Sequence, residues 1–149
     1  MQIKAPIIED MISQWEKDCI IDQTEPGKEL LRIPLLHSKY NKYLTLHNLS
    51  AKRIGIKINE LRKLKWLYYS GKMDKEQLAE LQWEPFQFIL KSDINLYIDG
   101  DTDLSTLVIR KQYHEEAANF CVNIIKELNS RTYQLRTFCE WERFIQGGR

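Results

Sequence analysis

Positive charge is concentrated in one stretch of this sequence, residues 38–72. The stretch holds nine lysines and arginines against a single acid, Glu60, so its net charge is +8, whereas the whole 149-residue chain carries +1. Phosphates neutralise such cations and unpaired bases stack on aromatic rings, so cations mixed with aromatics are typical of proteins that bind single-stranded nucleic acid. The candidate binding residues are Lys52, Arg53, Lys57, Arg62, Lys63, Lys65, Lys72, Trp66, Tyr68 and Tyr69.

Two other interpretations of the basic segment are open. Most charge runs are solvated helix faces, but such faces usually mix signs for i,i+4 pairing, and this one leaves like charges to repel each other. The other interpretation is a helical adaptor or structural oligomer whose basic segment binds an acidic protein partner. Either a nucleic acid or an acidic protein would relieve the repulsion between these cations.

The two lysines Lys63 and Lys65 are predicted to face different sides of the helix that carries them. At 100° per residue they lie about 160° apart, and Lys65 falls beside the apolar stripe formed by residues such as Ile58 and Leu61. Only a bent helix or a neighbouring subunit would bring the two cations to one surface.

Other residues that could carry chemistry do not form a recognisable site. Residues 70–72 resemble the end of a phosphate-binding loop, but Trp66 and Met73 stand where that loop needs glycine and a hydroxyl residue. Residues 99–103 resemble the start of a calcium loop, but they lack the glycine and the closing acid, so they are read as a helix cap. The three histidines share no ligand spacing and are predicted to be surface or capping residues, and the acids at 115–116 point in different directions. We therefore predict no enzyme, no metal site and no cofactor.

The pattern of apolar residues predicts a mainly α fold, a helical protomer with one or two short β segments. Helices are expected at about 7–18, 34–48 and 52–69, with a short surface helix or linker at 73–82 and a long final helix at about 103–146. Strands are expected near 19–22 and 94–98, where β-branched residues lie between aspartates. The chain is predicted to be a single domain, 1–149, in which the DNA-binding helix spans about 50–72.

The final helix carries more large apolar residues than so short a chain is expected to cover. An exposed apolar patch of this kind usually marks an interface, so this helix is predicted to join copies of the chain into a closed ring. The candidate oligomerisation residues are Phe120, Ile124, Leu128, Leu135, Phe138, Trp141 and Ile145.

Cysteine usage and hydropathy indicate a cytoplasmic protein without a membrane segment. The three cysteines are an odd number without paired spacing, so they are predicted to be reduced, buried thiols. The sequence shows no signal peptide and no apolar run near 18 residues.

The segment Lys63-Leu-Lys65-Trp-Leu-Tyr68-Tyr69-Ser70-Gly71-Lys72 resembles the Lys-x-Arg-x-x-Tyr-Tyr-Ser-Gly-basic motif of the UvsY family of tailed-phage recombination mediators. Short matches in the same order cover about residues 9 to 148. They include Asp10, Lys17-Asp18, Ile21-Asp22, Ser38-Lys39, Ser92-Asp93, Phe120-Cys121, Ser130-Arg131 and Arg143-Phe144.

This resemblance implies a non-enzymatic protein that binds single-stranded DNA through Lys63 and Lys65 and assembles into a hexamer or heptamer ring. It also implies a UvsX-like recombinase and the phage single-strand-binding protein as partners, in the cytoplasm of the infected host. The sequence departs from the family pattern at three places. Lys65 replaces an arginine and loses its bidentate phosphate contact, Leu67 replaces an acid, and the acidic residues 99–103 add length before the last helix.

Overall fold

The computed structural model describes residues 3–85 and 89–147 of the chain. Within these residues the regular structure is helical and contains no strand. The helices are α1 (Ile8–Asp18), α2 (Pro26–Tyr69), α3 (Lys75–Leu81), α4 (Ile94–Asp99) and α5 (Thr102–Ile145), with a 3-10 turn at Lys91–Asp93. None of these helices is both long and apolar enough to cross a bilayer.

Helix α2 corrects the prediction of two helices at 34–48 and 52–69. It is a single helix of 44 residues that begins at Pro26, because proline is suited to a first helical position where no hydrogen bond from the nitrogen is needed. The polar residues at 48–50 were expected to break the helix, but Asn and Ser cost only a few tenths of a kcal/mol inside one. Buried His47 and Ala51 flank them and keep the chain helical by packing. Pro34 is also inside the helix, at a solvent-exposed position where water can satisfy the freed carbonyl.

Both predicted strands are wrong. Residues 20–22 form the connection between α1 and α2, where the Asp22 carboxylate accepts hydrogen bonds from the Thr24 backbone nitrogen at 2.9 Å and its hydroxyl at 2.6 Å. Residues 94–98 lie in α4. Ile94 and Ile98 are buried while Leu96 is 73% exposed, a spacing of four that belongs to a helix face. A strand would have placed all three on one side.

Several terminal signals are confirmed. Helix α1 ends at Asp18 as predicted, and α5 begins after Asp101, whose carboxylate accepts a hydrogen bond from the Leu104 nitrogen at 3.1 Å. The Asp74 side chain, which was not predicted as a cap, caps α3 through the Gln77 nitrogen at 2.8 Å. Gly71, just after α2, has φ +72°, a backbone conformation that glycine adopts without strain.

Contacts divide the chain into two compact units. The first combines the residues up to Leu49 with those from His114 onwards, and the second is Ser50–Tyr113. The predicted single domain over 1–149 stays a prediction.

The core of the first unit is built from α1, the first half of α2 and the later part of α5. Leu36 and Tyr40 pack against Ile124 and Leu128, and a second cluster joins Met11, Ala117 and Cys121. Burial raises the pKa of the Cys121 thiol to about 11, so this thiol stays protonated at neutral pH. The expectation of buried thiols holds for Cys121 but is wrong for Cys19, which is exposed.

Asp18, the last residue of α1, links the elements of the first unit. Its carboxylate accepts hydrogen bonds from the Lys39 ammonium at 2.7 Å and the Tyr40 hydroxyl at 2.8 Å, and Arg32 lies 3.4 Å away. Partial burial raises the pKa of Asp18, but these hydrogen bonds and cations outweigh it, so the pKa lies below its usual value. The Asp18 backbone carbonyl also accepts from buried Arg131 at 3.4 Å.

Asp18→Asn is expected to lower the free energy of unfolding by about 2 kcal/mol at pH 7, because the variant loses charge-assisted hydrogen bonds. A carboxyl whose folded pKa is depressed stabilises the protein above its unfolded pKa of about 3.9, and this contribution disappears as the pH falls through the folded value. The difference between wild type and variant should therefore shrink below about pH 4. Urea denaturation at pH 7, 5 and 3 measures it, with exposed Asp10→Asn on α1 as the control. A difference that stays constant down to pH 3 would contradict the assignment.

The second unit has a core of Ile94, Ile98 and Leu104. The half-buried side chains of Ile58, Leu61, Trp66, Tyr69 and Ile89 pack against it. The apolar stripe of α2 is therefore covered by α4 and the start of α5, which leaves the opposite face of α2 in solvent.

Candidate nucleic-acid interface

The solvent face of α2 in the second unit is cationic. Lys52, Arg53, Lys57 and Lys63 are all exposed, and no carboxylate among the described residues lies within 4.0 Å of any of them. Lys52 and Lys63 are 11 residues apart, which places them within about 20° of each other and about 16 Å apart along the helix, whereas Arg53 and Lys57 lie about 80° and about 120° round the helix from Lys63. We call these four residues the cationic face. Its unpaired cations are available to a polyanion.

Arg62 lies at the edge of this surface. Its guanidinium is 3.8 Å from the Asp99 carboxylate, and both side chains are more than half exposed. Exposed ion pairs at this distance contribute little to the free energy of unfolding, so a competing phosphate can displace Asp99 from Arg62 at small cost.

Lys65 points the other way, as the angle between it and Lys63 predicts. The residue is only 6% exposed, and its ammonium lies 3.0 Å from Asp101 and 2.9 Å from Asp103. The ammonium also lies 4.3 Å from the centre of the Trp83 ring, within the range of a cation–π interaction. Burial lowers the pKa of Lys65, but the two carboxylates outweigh burial and raise it above its usual value.

Asp101 is the centre of this buried network. Besides Lys65, its carboxylate accepts a hydrogen bond from the Tyr69 hydroxyl at 2.6 Å and from the Leu104 nitrogen. Burial raises the pKa of Asp101, yet these donors together lower it below its usual value. Burial, followed by the hydrogen bond to Asp101, raises the pKa of Tyr69. We call Lys65, Tyr69, Trp83, Asp101 and Asp103 the Lys65 network. It ties the end of α2 to the start of α5.

The aromatic residues of the segment are engaged within the protein. Trp66 packs on the core of the second unit, and the Tyr68 hydroxyl donates a hydrogen bond to the Glu84 carbonyl at 2.6 Å. Lys72 follows α2 and is exposed, with its ammonium 4.7 Å from the centre of the Trp66 ring. The structure therefore separates the predicted set into an exposed cationic face, a buried network and a Trp66–Lys72 pair.

Sequence reasoning missed the partners of Lys65. Asp101 and Asp103 were read only as a helix cap, and Trp83 was not considered, because no local spacing connects residues 36 and 38 positions apart. One feature of the motif segment did indicate such a partner, namely the position of Lys65 on the apolar side of the helix. A lysine can be buried there at low cost only if a carboxylate pairs with it.

The histidine prediction is also wrong for His47. Its ring is fully buried in the first unit, where Nε2 donates to the Pro6 carbonyl at 2.9 Å and Nδ1 lies 3.0 Å from the His114 Nδ1. Burial lowers the pKa of His47, although the hydrogen bond to Pro6 opposes this, so the ring holds the segment before α1 in its neutral form. Among the residues that the structure describes, no group of three or more His, Cys, Asp or Glu side chains is arranged to hold a metal ion.

The predicted oligomerisation residues divide into two groups. Ile124, Leu128 and Leu135 are buried within the chain itself, and Phe120 packs beside them in the core of the first unit. This corrects the expectation that the chain cannot cover this helix, because α1 and the first half of α2 cover Ile124 and Leu128.

Beyond Leu135 the helix emerges from the core. Phe138 is partly buried, whereas Trp141 is 58% exposed and Phe144 is 74% exposed, with Ile145 also exposed next to them. The Trp141 and Phe144 rings stack with their centres 5.8 Å apart. We call Trp141, Phe144 and Ile145 the terminal apolar patch.

Comparisons with known proteins agree on one family. A family model described as "Recombination, repair and ssDNA binding protein UvsY" matches residues 14–148. A crystal structure of the bacteriophage T4 recombination mediator protein UvsY, in lattice type IV, superimposes with a TM-score of 0.81 at 20% identity, covering 93% of this chain and 99% of that one. A second crystal form, lattice type II, gives a TM-score of 0.77 at 22% identity with 98% of both chains covered. At these identities the structural likeness establishes the fold. A comparison with curated protein sequences gave no match.

Proposed function

This chain belongs to the UvsY family, and from that premise we propose that it is a non-enzymatic recombination mediator that binds single-stranded DNA. In this role it would help to load a UvsX-like recombinase onto strands covered by the phage single-strand-binding protein. The site of this activity would be the cytoplasm of the infected host cell. The description of the matched family names single-stranded DNA binding, which supports this class of partner.

The observation that carries the proposal is the unpaired charge of the cationic face. Four exposed cations without a carboxylate within 4.0 Å repel one another, and the one acid of this stretch, Glu60, does not pair with them. A DNA backbone relieves this repulsion by placing phosphates between the cations and releasing its counterions. Arg62 and Lys72 extend the same surface at its edges.

Lys65 has a different role in this proposal. Its ammonium is occupied by two carboxylates, so it positions the end of α2 while Lys63 contacts phosphate. Of the family's two basic residues, Lys63 would therefore contact DNA here, whereas Lys65 would hold the end of α2 in position. An arginine at the position of Lys65 would present a wider group than the compact ammonium that fits between Asp101 and Asp103.

We also propose that the terminal apolar patch joins copies of the chain into a closed ring, a hexamer or heptamer. Soluble monomers rarely leave large stacked aromatics in water, and heterologous contacts between identical chains close into rings when the rotation permits. A ring would bring several cationic faces to one strand and raise the avidity without any new contact.

Titration of the full chain with labelled single-stranded oligonucleotides at several salt concentrations tests DNA binding. The variant Lys52→Ala/Lys63→Ala should lose about two phosphate contacts per bound subunit, which makes the log–log salt slope shallower by about 1.4. Since the contribution of counterion release vanishes near 1 M salt, the affinity at 0.1 M should fall about 25-fold for all sequences alike.

Lys126→Ala is the matched control, because this lysine is also exposed but lies on α5 in the first unit. Unchanged affinity in Lys52→Ala/Lys63→Ala would move the DNA to another surface. If no oligonucleotide bound even at low salt, the adaptor with an acidic protein partner would replace the mediator.

A further inference from the structure

A largely apolar, half-open cavity of about 280 Å³ lies beside the end of α2 in the second unit. The Trp66 ring forms part of its wall and is held there by packing on the core of this unit. The described residues that line it are Trp66, Ser70, Lys72, Ile89, Lys91 and Ile94. We call it the Trp66 pocket.

We propose that the Trp66 pocket receives one unpaired nucleobase of the bound strand, while Lys72 and Lys91 hold the phosphates on either side of it. This inference rests on the proposed function and adds to it a second, base-binding site. The cationic face would carry the backbone along α2, and the pocket would take a base where the helix ends.

The dimensions and lining of the pocket suit this ligand. Pockets for drug-sized ligands begin at about 300 Å³, and a single base is smaller than such a ligand. Aromatic and aliphatic walls accept the faces of a base, and stacking on a protein ring tolerates any of the four bases. A phosphate alone would gain nothing from the apolar walls.

The two lysines are available for phosphates. Both are exposed, and no carboxylate of a described residue lies within 4.0 Å of either. Lys72 now lies over the Trp66 ring at 4.7 Å. An exposed cation–π contact is weak, so the flexible Lys72 side chain can exchange the ring for a phosphate when a base covers the ring.

Such a pocket would distinguish single strands from duplexes. In a duplex each base is paired and stacked on both faces, so it can enter a pocket only after it is extruded from the helix. The cationic face alone offers no such discrimination, since a duplex also carries phosphates.

The experiment compares the affinity of the full chain for oligothymidine, for a strand of the same length built from abasic sites, and for a duplex. Wild type is expected to bind oligothymidine about tenfold more tightly than the abasic strand at equal salt. Trp66→Leu should reduce the affinity for oligothymidine to that for the abasic strand and leave the abasic affinity unchanged. Lys91→Ala should weaken both and make the salt slope shallower by about 0.7, whereas the exposed Lys75→Ala in the same unit should do neither.

Each outcome decides one of the two proposals. Equal affinity of wild type for oligothymidine and the abasic strand overturns the pocket and leaves phosphate binding by the cationic face intact. If the wild-type protein binds neither the oligothymidine nor the abasic strand, the proposed function itself is overturned. Because Trp66 also packs on the core, Ser70→Leu serves as a second variant that narrows the pocket from its rim. A base preference that persists in both Trp66→Leu and Ser70→Leu overturns the pocket.

Discussion

Lys65→Ala is expected to lower the free energy of unfolding by about 3 kcal/mol, whereas Lys63→Ala should change it by less than about 0.5 kcal/mol. Lys65 is 6% exposed and lies between Asp101 and Asp103, so its removal leaves the nearly buried Asp101 without its cation. Truncating one member of a buried pair commonly costs about 3–5 kcal/mol, and the low end applies because Asp103 stays in contact with water. Lys63 makes no such contact.

Urea denaturation at pH 7 measures this difference, and the pair Lys65→Met and Lys65→Met/Asp101→Asn serves as a further control. Removing both charges avoids an uncompensated carboxylate, so the double variant should recover part of the stability lost by the single one. A stable Lys65→Ala variant that had lost DNA affinity would instead place Lys65 on the strand. The DNA titration should then be repeated at a temperature where every variant is folded.

The direction of Lys65 could be anticipated from the sequence, but its partners could not. Helical geometry alone places Lys63 and Lys65 about 160° apart, and the structure confirms that one is exposed and the other buried. The carboxylates that make burial possible lie beyond α4, and their approach depends on how Ile94 and Ile98 pack. Such tertiary packing cannot be predicted from the spacing of residues near the motif.

The errors in the predicted secondary structure also arise from tertiary packing. Apolar residues at 94, 96 and 98 satisfy both a strand period of two and a helix spacing of four, and only burial of the first and last decides for α4. The polar residues near Asn48 are weak breaks that packing overrides, because His47 and Ala51 on either side are buried. The cap predicted at residues 99–103 was correct, since the Asp101 carboxylate acts through the Leu104 backbone nitrogen only three residues away.

Part of the apolar pattern of α5 is explained by burial within the chain itself. Sequence periodicity marks every apolar residue of a helix but does not say which neighbour covers it. In the structure α1 and the first half of α2 cover Ile124 and Leu128, whereas Trp141, Phe144 and Ile145 in the last turns of α5 are exposed. A truncation after Ser130 would remove buried Arg131 and Leu135 and disturb the core of the first unit. Point changes in the terminal apolar patch are therefore the better test.

Trp141→Ser/Phe144→Ser is expected to convert the assembled protein into smaller species, down to the monomer. The exposed parts of these two rings amount to about 200 Å² of apolar surface, which at about 25 cal/mol per Å² corresponds to about 5 kcal/mol for each interface. A loss of about 5 kcal/mol weakens each subunit contact about 5,000-fold, enough to dissociate a ring at micromolar concentration. Light scattering after size-exclusion chromatography measures the mass, and Tyr133→Ser is the control, because Tyr133 is a 75% exposed aromatic on the same helix outside the patch. A monomeric wild type would end the ring proposal, and a double variant that stays fully assembled would move the interface to another surface.

If the ring dissociates while each subunit stays folded, the affinity for single-stranded DNA should fall with it, because one cationic face then acts without the avidity of its neighbours.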